Sequence, residues 1–267
     1  MRFKPYIFLL KLFARWRRAV RRAFLHIGGL ILLFSGTLYW MVRPPFRKFH
    51  VLEQMRDMGV ASFPIVFLIS LFTGIVLALQ SAYQMQKLSA EMYIASLVSL
   101  SLVRELGPVL TALIVAGRCG AAITAELGTM KVTEQIDALE TLSTNPINYL
   151  VVPRFVALIV MLPILTIYAD FFGIIGGYLI GVGKLDISHS MYLKMTFDPM
   201  QVKDVITGCI KSISFATVIC MISCFEGMNS EGGAEGVGKA TTSSVVRSFI
   251  MIIVVDCFFT ALFYFMK

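Results

Sequence analysis

Five separate stretches of this chain are long and apolar enough to cross a lipid bilayer, at about residues 61–82, 93–117, 155–182, 204–225 and 245–266. Each has roughly the 20 residues a helix needs to span a hydrocarbon core. Lipid offers backbone N–H and C=O groups no partner, so each stretch must satisfy its own as a helix. The composition agrees: 57% of the residues are hydrophobic and 15% charged, with a mean hydropathy of +0.79, values that soluble domains rarely reach. The expected fold class is therefore all-α: a polytopic membrane protein with five transmembrane helices.

The formal net charge of +8 is unevenly spread, with 12 of the 24 Lys and Arg residues in positions 1–56. Basic flanks stay cytoplasmic and attract anionic headgroups; nucleic-acid binding, the other use of such a segment, is not expected here. Residues 1–22, with RWRRAVRR at 15–22, read as a basic amphipathic helix on the membrane surface. Residues 23–42 have spanning length, but crossing from the cytoplasm would put Arg43, Arg47, Lys48 and Arg56 outside, against the positive-inside rule. They read as an interfacial or re-entrant element, bent at Gly28–Gly29 and Gly36 and stopped by Pro44–Pro45. The chain thus divides into a basic segment, 1–56, and a five-helix domain, 57–267. A cytoplasmic N-terminus and five crossings put Lys267 outside, with loops near 118–154 and 226–244 in the cytoplasm. The basic region is too long for a signal peptide, and no A-x-A-like cleavage site follows.

The chemistry lies in the ionisable residues of the spans: Arg104, Glu105, Asp170, Lys211 and Asp256. Each such charge costs about 2.5–3.5 kcal/mol on the lenient insertion scale. They either neutralise one another and hold helices in register, or line a polar path for a substrate. Pairing Lys211 with Glu105 satisfies both readings. Small residues at Gly117, Gly120, Ala121, Ala122, Ala125, Gly173, Gly176 and Gly177 allow close helix approach, within one chain or at a dimer seam. The 15 Met and 21 Phe suit either an acyl-chain pocket or a lipid-facing surface.

No enzyme is expected. His26, His50 and His189 lie outside the core spans, and neither an HExxH motif nor a Ser/Lys dyad is present. The five cysteines read as small buried side chains; Cys220 and Cys224 share a helix face, but no His or acid completes a metal site. GAEGVGKA, 233–240, nearly matches the phosphate-loop pattern, but Ala240 replaces the Mg²⁺-binding hydroxyl and no strand precedes it. It reads as a flexible loop, so no ATP site is expected on this chain. Residues 131–142, KVTEQIDALETL, put Val132, Ile136, Leu139 and Leu142 near one face of a short helix outside the membrane. Composition leaves two uses open, a solvated loop helix or a docking handle.

The runs RELGPVLTALIVAGRCGAAITAELGTMKVTEQIDALE (104–140), NP (145–146), PRF (153–155), LP (162–163), GIIGG (173–177), IKS (210–212) and KATTSSVVRS (239–248) resemble the MlaE family. Its members are permease subunits of bacterial ABC systems that move lipids between inner and outer membranes. The likeness covers roughly residues 45–266. It implies that Glu134, Gln135, Ile136, Asp137, Leu139 and Glu140 form a coupling helix, and that Arg104, Glu105 and Lys211 act in transport. It further implies a homodimer in the inner membrane and a cytoplasmic ATPase that binds the ATP and Mg. A periplasmic MCE-domain lipid-binding protein, a STAS-domain protein and a phospholipid cargo complete the expectation. With Asp170 and Asp256, the charged residues make up the expected substrate cavity. The rival is an ion-coupled secondary transporter that uses Asp170, Asp256 and Glu105 as ion sites.

Overall fold

The computed structural model describes residues 4–44, 48–87 and 90–265 and, before residue 24, only the side chains of Arg17 and Arg21. Pro45, Arg47, Lys267 and most of the amphipathic pattern of 1–22 lie outside the described residues. The described chain is helical, with no strand. In chain order the helices are α1 (Lys4–Met41), α2 (Lys48–Gln86), α3 (Glu91–Val132), α4 (Gln135–Thr141), α5 (Ile147–Gly183), α6 (His189–Phe197), α7 (Val202–Met228) and α8 (Gly233–Phe265). The five expected spans fall in α2, α3, α5, α7 and α8, apart from residue 266, which lies outside the described residues. Six helices, α1 included, are long and apolar enough to cross a membrane.

The framework is the crossing of α2 over α5. Ser70, Gly74, Ala78 and Ala82 recur every fourth residue and are buried, so α2 presents a groove where bulk would stand. A Cβ on Gly74 would overlap the Gly173 carbonyl, and one on Gly176 would overlap that of Leu71. The GIIGG run thus serves packing within the chain, where backbone contact replaces the hydrophobic drive that lipid cannot supply. Gly120 does the same against Ser223 and Ile219 of α7. Buried hydroxyls join the other spans: Thr124 of α3 lies 2.9 Å from Ser244 of α8, which lies 3.2 Å from Ser223 of α7.

Three sequence expectations are corrected. The bend at Gly28–Gly29 and Gly36 does not form, and α1 runs unbroken to Met41. Gly29 instead admits the ring of Phe225, which a Cβ would strike, and Gly36 fits against Ile147. Second, GAEGVGKA is no loop: it is the first two turns of α8, and Glu235 and Lys239 pair one turn apart at 2.6 Å. Glycine lowers helix propensity by only about 1 kcal/mol each, which the long apolar helix that continues from these two turns offsets. Third, residues 131–142 are not one helix. α3 ends at Val132, Glu134 takes a left-handed φ of 60°, and α4 starts at Gln135. Lys131 reaches across this turn to Asp137 at 2.8 Å.

Candidate substrate site

The site is built around one turn of α3. Residues Leu102–Leu106 form a π-helical turn, and Gly107–Pro108 follow. Proline has no N–H, so the carbonyl four residues before it, that of Arg104, loses its ordinary helical donor. Lys211 of α7 supplies the replacement, with Nζ 3.2 Å from Arg104 O. The same Nζ lies 2.7 Å from Glu105 Oε2, 2.9 Å from Asp256 Oδ1 and 2.8 Å from Thr260 Oγ1. Its three N–H bonds go to Arg104 O and Glu105 of α3 and to Thr260 of α8, while Asp256 Oδ1 lies within ion-pair range without accepting a hydrogen bond. Asp256 and Thr260 stand one turn apart on α8, and Thr260 also donates to Glu105 Oε1 at 3.0 Å. Lys211 is 1% exposed, yet the Glu105 side chain is 40% exposed and that of Asp256 21%. The cation is sealed into the protein, and its carboxylates face open space.

Arg104, next along the π turn, points to a different partner. Its Nε lies 2.8 Å from Asp204 Oδ1 and its Nη2 3.2 Å from Oδ2. Asp204 also accepts from the backbone N–H of Gln201 at 3.0 Å, in a capping box that starts α7. One carboxylate thus fixes a helix end and holds the guanidinium in a two-pronged grip.

Asp170 of α5 lies against the same stretch of α3 but makes no ion pair with Lys211. Its Oδ1 sits where a side chain on Gly107 would begin, is buried, and has no hydrogen-bond partner among the described residues. It lines a separate groove of about 460 Å³ with Phe171 and Tyr178 of α5, Tyr192 and Phe197 of α6, and Val205 of α7. Tyr192 lies outside the spans, and burial pushes its phenol up to about 12, so it stays neutral at physiological pH. Of the five expected ionisable residues, Glu105, Lys211 and Asp256 meet directly, Arg104 joins through its carbonyl, and Asp170 stands apart. Sequence reasoning missed Asp204 and Thr260. Gln201 followed three residues later by Asp204 is a helix-start signal that could have flagged the first; an uncharged Thr260 sends none.

The turn carrying the expected coupling residues divides by burial. Ile136 is buried and Leu139 half-buried, both against the chain's own core. Glu134, Gln135, Asp137 and Glu140 are exposed, and Leu142 is 75% exposed. Behind them Arg154 of α5, 7% exposed, bonds Glu126 of α3 at 2.9 Å and its own helix at Leu150 O at 2.8 Å. This ties α5 to the outlying end of α3.

An all-helical bundle of spanning-length helices, with an ion cluster buried between them and a polar turn beyond, defines a multi-pass membrane protein. The model of the family "Permease MlaE" matches residues 51–262, and the chain belongs to that family. It is 48% identical over 237 residues to a probable ABC transporter permease protein of Rickettsia prowazekii, covering 88% of this chain and 92% of the relative. A probable ABC transporter permease protein of Synechocystis sp. is 42% identical over 215 residues, 80% and 82% of the two chains. The intermembrane phospholipid transport system permease protein MlaE of Haemophilus influenzae is 39% identical over 225 residues, 83% and 86% of the two chains.

Proposed function

We propose that this chain is the permease subunit of an ABC-type transporter that moves phospholipids or related lipids between the inner and outer membranes of a bacterium. The observation that carries the reading is the sealed Lys211 with carboxylates open on one side. Such a cluster turns carboxylate oxygens towards a lipid headgroup while Lys211 offsets their charge from behind, and the apolar faces of the spans take the tails. The names of the relatives agree with it. Two copies would enclose the cavity. A cytoplasmic ATPase, which holds the ATP and Mg, would dock on the exposed turn of Glu134, Gln135, Asp137, Glu140 and Leu142, with Ile136 and Leu139 bracing that turn from behind. A periplasmic MCE-domain protein would exchange lipid on the far side, and a STAS-domain protein would bind the ATPase. The basic N-terminal half of α1 supports a cytoplasmic position for that end.

The test is reconstitution of the chain with the ATPase it co-purifies with from its native cell. ATP should drive movement of labelled lipid in proteoliposomes, while a proton gradient without ATP should not. Movement that follows the gradient alone would replace this reading with the ion-coupled one. In the same system, a Glu134→Lys/Asp137→Lys/Leu142→Ala variant should lose most ATPase pull-down yet still insert. Apolar anchors carry most interface energy, so Leu142→Ala alone should weaken capture more than either charge change, roughly tenfold.

A further inference from the structure

A second groove, far along α5 from Asp170, has no part in the reading above. It encloses about 560 Å³ where α1, α2 and α5 meet, and its walls include Trp40, Leu52, Val152 and Val156. Two cations, Arg43 and Lys48, line it as well. Both are exposed, and among the described residues neither has a carboxylate partner. The sequence explains why none is near in the chain: no Asp or Glu occurs before Glu53. Arg43 rests its guanidinium 4.2 Å from the centre of the Tyr39 ring. That stacking holds the cation in place and leaves its N–H edge free to donate. The nearby His50 turns elsewhere, its ring edge-on to Tyr149 at 5.5 Å and Nδ1 3.6 Å from Glu53.

From this geometry we infer that the groove binds one anionic phospholipid of the cytoplasmic leaflet as a resident lipid. The phosphate sits between Arg43 and Lys48, and an acyl chain lies along Trp40, Leu52 and Val156. Charge complementarity selects the occupant: two unpaired cations beside an apolar wall suit an anionic headgroup with a tail, and basic pockets between helices on the cytoplasmic side take such headgroups. Indole rings favour the membrane interface, and Trp40 lies near the end of the apolar run of α1, just before Arg43. The volume is that of a site for a single bound molecule. The site shares no residue with the Lys211 cluster, so it holds a lipid that is not cargo. The inference rests on the orientation proposed above, with α1 on the cytoplasmic side.

The chain has two tryptophans, Trp16 and Trp40, so a full-length Trp16→Phe variant reports on the groove alone. Phosphatidylglycerol with brominated acyl chains, diluted in phosphatidylcholine vesicles, should quench Trp40 at on the order of tenfold lower mole fraction than brominated phosphatidylcholine. Arg43→Gln/Lys48→Gln should erase that preference, and Arg43→Lys/Lys48→Arg should keep it. Val156→Trp cannot be read by fluorescence; it should instead lower the phosphatidylglycerol that co-purifies with the chain. Lys211→Met should leave the preference intact, which separates failure here from failure of the transport reading. Equal quenching by the two lipids, or a preference that survives the double Gln change, would overturn the site. So would ready cross-linking of two copies through Leu52→Cys without retained lipid, which would give the groove to a second chain.

Discussion

Lys211 and Asp170 flank the same turn of α3, and the chain treats these two buried ionisable groups in opposite ways. Lys211 donates to three acceptors within 3.2 Å and pairs with Asp256 at 2.9 Å; among the described residues Asp170 Oδ1 meets neither a donor nor a cation. An isolated charge in lipid is costly wherever it stands, so the contrast is one of compensation. For Lys211 the surroundings were built from two other helices: α3 gives the Arg104 carbonyl that Pro108 frees and the Glu105 carboxylate, and α8 gives Asp256 and Thr260. For Asp170 the surroundings are a glycine cleared of its side chain and an apolar groove. The first arrangement ties helices together through polar bonds. The second tolerates a polar group with steric room and little else. A residue held by a network and a residue held by a vacancy should fail differently when changed.

The largest effect is expected on the network side. Lys211→Met removes the one cation between Glu105 and Asp256. Breaking a buried pair by removing one partner costs about 3–5 kcal/mol, and the 40% exposure of Glu105 lets water take back part of that. We expect ATP-driven lipid movement to vanish while the protein still accumulates in the membrane. The triple change Lys211→Met/Glu105→Gln/Asp256→Asn should recover thermal stability without transport. Transport restored along with stability would make the cluster a brace and nothing more.

Next comes Gly107, the shared ground between the two groups. Gly107→Ala drives a methyl into Asp170 Oδ1 and toward Leu102 O. Overpacking of this kind costs about 1–3 kcal/mol. Asp170→Ala in the same chain should recover most of the loss, a coupling that a double-mutant cycle on thermal unfolding measures directly. Independent losses would mean that the backbone of the π turn, and not Asp170, refuses the methyl group.

Asp204 tests the other arm of the turn. Asp204→Asn keeps the cap acceptor but loses the ionic grip on Arg104, whose side chain is 40% exposed. The Asp204 side chain is only 13% exposed, so the pair should sit at the upper end of the range of about 0–1 kcal/mol found for exposed pairs, and stability should fall by no more than about 1 kcal/mol. If Arg104 must be held away from the open carboxylates, lipid movement should fall several-fold while ATPase association stays intact. Unchanged transport would show that Arg104 serves the helix end alone.

Much of this was legible from residues, and the boundary follows the range of the forces. The spans were readable because burial in lipid acts on every residue of a 20-residue run. The Lys211–Glu105 pair was readable because a lysine flanked by Ile210 and Ile213 has few ways to be satisfied. Asp256 was counted among the span charges, but its place beside Lys211 depends on the rotation of α8. The π turn was not visible, since one extra residue in a helix leaves no period to detect; Pro108 was its only trace. The break at Glu134 was hidden for a similar reason. A Glu in left-handed conformation is uncommon, and tertiary contacts of Ile136 and Leu139 impose it. The glycines of 233–240 misled because composition reports propensity, and continuity with the long helix that follows overrode it.

The smallest expected effect is the most telling for Asp170. Its Oδ1 has no partner to lose, so Asp170→Asn should change thermal stability by less than about 1 kcal/mol, and Asp170→Leu should be neutral or stabilising. Replacing a buried polar group that lacks compensation by an apolar one of similar size removes a desolvation penalty without removing a bond. That outcome alone leaves two roles, a tolerated relic of packing or a group kept for the cargo, and transport separates them. If the groove beside Asp170 forms part of the lipid path, Asp170→Leu should cut ATP-driven movement at least tenfold in a protein more stable than the parent. If Asp170 only fills the space over Gly107, both substitutions should transport normally, and the Gly107→Ala/Asp170→Ala chain should do so as well. A clear loss of stability on Asp170→Asn would break the comparison itself, because it would require a bond to Asp170 that this arrangement of helices does not contain.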